Sequence, residues 1–195
     1  MTLVISFNRK FLSPRMTGYK CRISFNRISR ASTSWSSIFF GEFMRIVKVK
    51  QLFFEEYRKY NDDDQLLESD NGRPCVLILK LKYKGKRQNF VVPLRSNISK
   101  NAPKSHFFKL PPTSRTKTGK VAGISYIKLF PITKQYIDKF VVFPGSHMEL
   151  VKTIIDQHEK EIVDECQNYL KNYELGLKSS LTPDIDNILS WLGSH

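Results

Sequence analysis

Beyond residue 44 the hydrophobic positions repeat with a period of two, and near residue 146 the repeat lengthens to that of a helix. Ile46, Val47 and Val49, set among Arg45, Lys48 and Lys50, predict a first strand. Leu52 to Tyr60 reads as a short helix with Leu52, Phe53 and Tyr57 near one face, ended by the polar run Asn61 to Asp64. Cys75 to Tyr83 is the clearest strand signal. It begins as a continuous apolar run, then alternates Leu79, Leu81 and Tyr83 with Lys80, Lys82 and Lys84. Gly85 supplies a turn and Gln88 to Leu94 a returning strand, whose Pro93 marks an edge or bulge.

Residues 95 to 104 predict a polar loop, His106 to Leu110 a short strand, and Pro111 to Gly119 a mobile basic loop. Gly123 to Ile132 and Phe140 to Phe143 read as further strands. Ser146 to Glu149 is a capping-box pattern. It opens a long helix carrying Met148, Val151, Ile155, Ile162, Cys166, Tyr169 and Tyr173 on one stripe, with a stop at Gly176. Thr182-Pro183 begins a last short helix ending near Trp191 and Leu192. The expected class is α+β: a twisted, mostly antiparallel sheet edged by helices, with a long C-terminal helix.

Residues 1–43 break from this pattern. They are rich in Ser, Arg and Phe and sustain no amphipathic period. Arg9, Lys10 and Arg15 interrupt any secretory apolar core, while the acid-poor composition allows an organelle transit peptide. Ile5 to Arg9 recurs as Ile23 to Arg27, too little for a repeat architecture. The expectation is a disordered extension or upstream read-through over 1–43, a true start at Met44, and one domain over 44–195.

At 41% hydrophobic, the chain can bury a core for that domain. Cys21, Cys75 and Cys166 lie far apart without ligand spacing, which argues against a disulfide framework or a zinc site and fits a reducing, cytoplasmic compartment. No apolar run approaches the ~18 residues of a membrane span.

Charge changes the picture most. Residues 71–137 contain no Asp or Glu but fifteen Lys and Arg, from Arg73 to Lys134, within a chain of net charge +14. A folded, single-signed surface of that length is the footprint of a polyanion, RNA or DNA first. A two-metal nuclease needs clustered carboxylates, which the central sheet lacks. The Asp62 to Asp64 run reads as a solvated helix end. His158-Glu159 opens like a zinc-protease motif, but no second histidine follows. RNA offers a route without metal or cofactor: its 2′-hydroxyl attacks the adjacent phosphate, and cationic and hydroxyl side chains stabilise the transition state.

Phe90-Val-Val-Pro-Leu-Arg-Ser-Asn-Ile98 resembles the strand and loop of type III toxin–antitoxin endoribonucleases, the group of ToxN, AbiQ, CptN and TenpN, and is nearest the TenpN branch. Gly72 to Leu79 before it, Phe107 to Leu110 after it, and Gly123 to Lys128, similar to the family's G-L-x-x-x-K segment, follow in the family's order. The resemblance implies a sheet related to MazF and Kid toxins and metal-independent RNA cleavage to a 2′,3′-cyclic phosphate. It also implies a repeat-type antitoxin RNA that the toxin processes and that inhibits it in a ring-like assembly, serving phage defence. It puts Ser96 at the active-site serine position, Arg95 beside it, and Arg73 at a basic position before the second strand. The family's helix tyrosine has Phe54 in its place here, with Tyr57 one turn later.

On chemistry alone, Ser96 is either a turn-capping serine after Pro93 or a residue that hydrogen-bonds the scissile phosphate or fixes the 2′-hydroxyl. Arg95 is a phosphate clamp or a solvated loop residue. His106, the sole histidine of the basic window, is a general acid or base, or a strand residue flanking the groove. Lys80, Lys82, Lys84, Lys86 and Arg87 on the hairpin are expected to track phosphates, as are Lys100, Lys104, Lys109, Arg115, Lys117 and Lys120. Phe107, Phe108 and Tyr126 are stacking or core residues. Two alternatives to the toxin reading stand: a non-catalytic basic nucleic-acid-binding module, and a MazF-like toxin held by a protein antitoxin.

Overall fold

A computed structural model describes residues 44–61, 63–66 and 74–194. Arg73 and the 1–43 extension lie outside the described residues.

Among the described residues seven strands form one sheet in which every pairing is antiparallel. They are β1 (Arg45–Val49), β2 (Pro74–Tyr83), β3 (Lys86–Ser99), β4 (Phe107–Leu110), β5 (Lys120–Ser125), β6 (Phe130–Pro131) and β7 (Ile137–Lys139). The order is β4-β5-β3-β2-β1-β7, and β6 pairs with β3 off that path. Four helices among the described residues cover it: α1 (Gln51–Arg58), α2 (His147–Gln157), α3 (Glu159–Glu174) and α4 (Ile185–Gly193). The α+β reading therefore holds.

Alternation in the strands sends side chains to two cores. Val76, Tyr83, Phe90, Val92 and Ile124 pack with Ile162, Cys166, Tyr169 and Tyr173 of α3. Val47, Val49, Cys75 and Val91 pack on the other side with Phe53, Phe54 and Tyr57 of α1 and Ile188 and Trp191 of α4. The helical stripe read from the sequence is thus core, and so is Tyr126.

The β2–β3 turn has Lys84 at φ 46° and Gly85 at φ 79°, the doubly positive pattern of a type I′ hairpin. Beyond the end of β1 the outer edge of β2 is sealed by α3. Gln167 Oε1 accepts from Lys82 N and Gln167 Nε2 donates to Lys82 O, each at 2.8 Å, and the Glu174 carboxylate accepts from Lys84 N. This satisfies an edge that would otherwise pair with another chain.

Four expectations need correction. The long C-terminal helix is two helices, broken at His158, whose φ of −111° and ψ of 19° leave the helical region. The last strand is Ile137–Lys139 rather than 140–143. Residues 95–99 continue β3 instead of forming a loop. The expected strand over 123–132 is interrupted by a 3-10 turn at Tyr126–Lys128. The caps formed as read: Ser146 Oγ accepts from Glu149 N at 3.3 Å, and Glu149 Oε2 accepts from Gly145 N at 2.7 Å. Gly176, at φ 79°, closes α3 with Leu177 N donating to Asn172 O at 2.8 Å, a Schellman bond.

One glycine is sterically required. A Cβ on Gly123 would lie 2.4 Å from the Phe108 carbonyl oxygen, 3.1 Å from Phe107 Cδ2 and 3.3 Å from Ile98 Cδ1. The nearest of these is backbone and cannot swing away. Gly123→Ala must displace β4, and is expected to cost about 1–3 kcal/mol, the range for overpacking a tight site. Thermal denaturation checks it: a fall of several degrees is expected, at roughly 2–4 °C per kcal/mol for a domain of this size.

Candidate active site

The site grows from two irregularities in the sheet. Between Arg95 and Ile98 the register of β3 against β5 slips, because Arg95 pairs Gly123 while Ile98 pairs Val121. Ser96 and Asn97 therefore share one opposing residue, Ala122. A bulge of this kind re-aims the side chains it carries. The second irregularity lies on the same edge of β3. That edge pairs first with β6, at Phe90 and Val91, and then with β5, from Leu94 onward. The 3-10 turn Tyr126–Lys128 bridges the two partners and carries Lys128 into the gap.

Lys128 is 5% exposed. Its Nζ donates to the Gln65 carbonyl at 2.8 Å and to Gln65 Oε1 at 3.0 Å. Gln65 is itself held, since its N–H donates to Asp63 Oδ1 at 2.9 Å, while Asp63 Oδ2 accepts from Asp184 N at 3.0 Å. Burial first, and the nearby Arg95 guanidinium second, lower the Lys128 ammonium to about 8 against the opposing pull of Asp63. An ammonium has three N–H donors. Two are used, and the third has no partner among the described residues.

Arg95, Gly123 and Lys109 occupy paired positions on three adjacent strands, so they lie in one row on one face of the sheet. Phe107, two residues from Lys109 on β4, covers the bare Cα of Gly123. Phe108 takes the opposite face, its ring 5.1 Å from that of His158.

Ser96 is half-buried, and its hydroxyl is oriented by the 111–119 loop. The Thr113 hydroxyl accepts from Arg115 N at 3.2 Å and contributes its hydrogen to Ser96 Oγ at 3.3 Å. Thr116 Oγ1 lies 3.3 Å from Thr113 Oγ1. With its acceptor side engaged, the Ser96 hydroxyl keeps its own hydrogen free. Asn97 fastens the same loop, donating to Arg115 O at 3.2 Å and accepting from Lys117 N at 2.9 Å. This basic loop is tied to the bulge, contrary to the mobility expected from its sequence.

Neither a family model nor a curated protein matches the sequence. Solved structures do. The chain superposes on AbiQ, a lactococcal anti-phage endoribonuclease of the type III toxin–antitoxin system, with a TM-score of 0.55 at 11% identity, covering 76% of this chain and 94% of that one. A structure from work on type III systems, in which a non-coding RNA pseudoknot selectively inhibits the toxin, gives 0.56 at 14% identity, covering 78% and 98%. One from a bacterial antiviral system regulated by a processed non-coding RNA gives 0.54 at 13%, covering 75% and 96%. The fold is the type III toxin fold.

Within that fold the sequence-read positions separate into groups. Arg95 and Ser96 meet at the β3 bulge, with Lys109, Arg115 and Lys117 around them. Lys100 and Lys120 stand at the adjoining strand ends, where Lys120 pairs with Ser99. Lys86, Arg87, Lys100, Lys104, Lys109, Arg115, Lys117 and Lys120 are exposed, and none forms an ion pair among the described residues. Lys84 differs, because its Nζ pairs with Asp186 Oδ1 at 2.6 Å. Lys80 sits at φ 63° in the β2 bulge, and Lys82 is exposed on the hairpin. His106 lines a cavity of about 330 Å³ against α3, which neither Arg95, Ser96 nor Lys128 lines.

Tyr57 is fully buried, with its ring 5.4 Å from that of Trp191, so its phenol faces the α1–α4 core. Lys128 was missed as a site residue although its motif was read. Its signal was a lysine inside an otherwise apolar run, Ile127 to Ile132, where burial demands a reason.

Proposed function

We propose that this chain is a metal-independent endoribonuclease toxin of a type III system, restrained by a repeat-type antitoxin RNA and directed at cellular or phage RNA. The juxtaposition of Arg95 with the buried Lys128, beside an oriented Ser96, carries this reading. RNA supplies its own nucleophile: the 2′-oxygen loses its proton and bonds to phosphorus, the bond to the 5′-oxygen breaks, and that oxygen gains a proton. The products end in a 2′,3′-cyclic phosphate and a 5′-hydroxyl. Negative charge peaks on the non-bridging oxygens in between. Arg95 offers a guanidinium to them, Lys128 adds an N–H, and Ser96 adds its hydroxyl hydrogen. These groups act in a partly dry setting, where fixed donors stabilise charge more than water does.

The unpaired lysines and arginines flanking the bulge supply the long-range attraction for the RNA strand. Association with an RNA antitoxin draws support from the likeness to RNA-regulated structures. Phage defence rests on the same likeness. No helix among the described residues is long and apolar enough to cross a membrane, and the proposed site of action is the bacterial cytoplasm.

The deciding experiment is cleavage of a mixed-sequence RNA in excess EDTA. Undiminished cutting with cyclic-phosphate ends is expected. Loss of activity on chelation, or 3′-hydroxyl products, overturns the mechanism. Binding without any cutting leaves the non-catalytic RNA-binding module.

A further inference from the structure

The cavity that contains His106 is separate from the cluster around Ser96, and its chemistry is unused. It lies between the 3-10 turn Lys104–His106 and helix α3. Glu165, Asn168 and Asn172 line it from α3 at spacings of three and four, which places them on one helical face. Ser105 and His106 line it from the turn, and Lys178 from the segment after Gly176. That segment is fixed rather than loose: the Schellman bond begins it, and a hydrogen bond between the Tyr169 and Thr182 hydroxyls pins its far end. The volume of about 330 Å³ is at the small end of ligand sites, about 300–1,000 Å³.

Four of the polar side chains of this cavity are unspent. The Glu165 carboxylate and the Asn168 and Asn172 amides make no hydrogen bond or ion pair among the described residues, nor does the His106 ring. Glu165 is half-buried, on a chain of net charge +14. A half-buried carboxylate without a cation is set to accept from neutral donors.

We infer that this cavity is a specificity subsite that admits one unpaired guanine of a bound RNA strand. A carboxylate accepts two hydrogen bonds side by side, and guanine alone among the four bases offers two adjacent donors, N1–H and the N2 amino group, on its Watson–Crick edge. Adenine turns the N1 lone pair toward the same carboxylate, uracil has a single N–H flanked by carbonyls, and cytosine has only its amino group. The Asn168 amide then donates to guanine O6, and Lys178 lies at the rim for a phosphate. His106 supplies a ring for stacking, as histidines do for splayed RNA bases. RNA as the source of the base rests on the function proposed above.

The test is calorimetric titration of the full chain with each of the four nucleoside 5′-monophosphates. GMP should bind at least tenfold more tightly than AMP, CMP or UMP. Glu165→Gln, which swaps a carboxylate oxygen for an amide of the same shape, should erase that preference, and Asn168→Ala should weaken GMP several-fold. Four nucleotides binding within twofold of one another, or a preference that survives Glu165→Gln, overturns the assignment. RNA cleavage measured on the same protein separates the two readings. Cutting without a guanine preference removes the subsite alone, and a guanine preference without cutting removes the catalytic reading alone.

Discussion

Lys128→Met should lower RNA cleavage by about two to three orders of magnitude while leaving the protein as stable as before, or more so. The activity loss follows from removing one fixed donor to the reacting phosphate, for which factors of about 10²–10³ are typical. The stability gain follows from burial. An ammonium whose proton affinity has fallen from 10.5 to about 8 is held against its preference at neutral pH. That tension corresponds to at most about 3–4 kcal/mol, at roughly 1.4 kcal/mol per tenfold change in proton affinity. Two hydrogen bonds to Gln65 offset part of it.

The sign of the pH dependence is fixed. Between about 8 and 10 the folded protein has released the Lys128 proton while the unfolded chain retains it, so stability rises with pH across that window. Above 10 the buried tyrosines Tyr57, Tyr83 and Tyr126 reverse the trend, since their raised proton affinities are lost on unfolding. Denaturation midpoints at pH 7 and 9.5 for wild type and Lys128→Met test this: the rise should be present in the first and absent in the second. Activity should move the opposite way. The logarithm of kcat/KM should fall above pH 8 in wild type, because the cationic form is the one that stabilises phosphate charge. Lys128→Arg, if it folds, should shift that falling limb out of range. A flat wild-type profile from pH 7 to 9.5 removes Lys128 from the chemistry.

Ser96→Ala should cut cleavage by about 10²–10³ while RNA binding changes little, because the lost hydrogen bond strengthens as charge builds on the phosphate. Thr113→Val probes the orientation of that hydroxyl. It should lower kcat by about tenfold, with KM nearly unchanged, equivalent to one hydrogen bond of about 1.4 kcal/mol. Thr113→Ser restores the hydroxyl and should restore the rate. Equal losses in Thr113→Val and Thr113→Ser would assign Thr113 a packing role instead. Normal cutting by Ser96→Ala would place the site elsewhere.

The sheet was legible because its strands obey simple alternation, as at Leu81, Tyr83, Phe90 and Val92, all of which are buried as the period requires. The break at His158 was not, since the apolar stripe continues in phase across it from Ile155 to Ile162 and masks a local change of backbone. The 3-10 turn at 126–128 was hidden for a related reason. Tyr126, Ile127 and Lys128 are all buried, so the segment reads as one apolar run. Arg95 and Ser96 were found through resemblance, while their geometry depends on a bulge and on Thr113, seventeen residues away. No local pattern announces that contact. Lys128 was overlooked because it is paired with Gln65 across 63 positions, and Gln65 carries no signal of its own.

That long-range tether has a consequence for how such an enzyme can be tuned. The ammonium proposed to act on the phosphate is seated by Gln65, which follows α1 in the chain and lies outside the strands that carry Arg95 and Ser96. Re-spelling that residue changes how deeply the cation sits and how readily it gives up its proton, without disturbing a single rung of the sheet. If the proposed chemistry holds, its rate can be graded at Gln65 while the sheet stays the same.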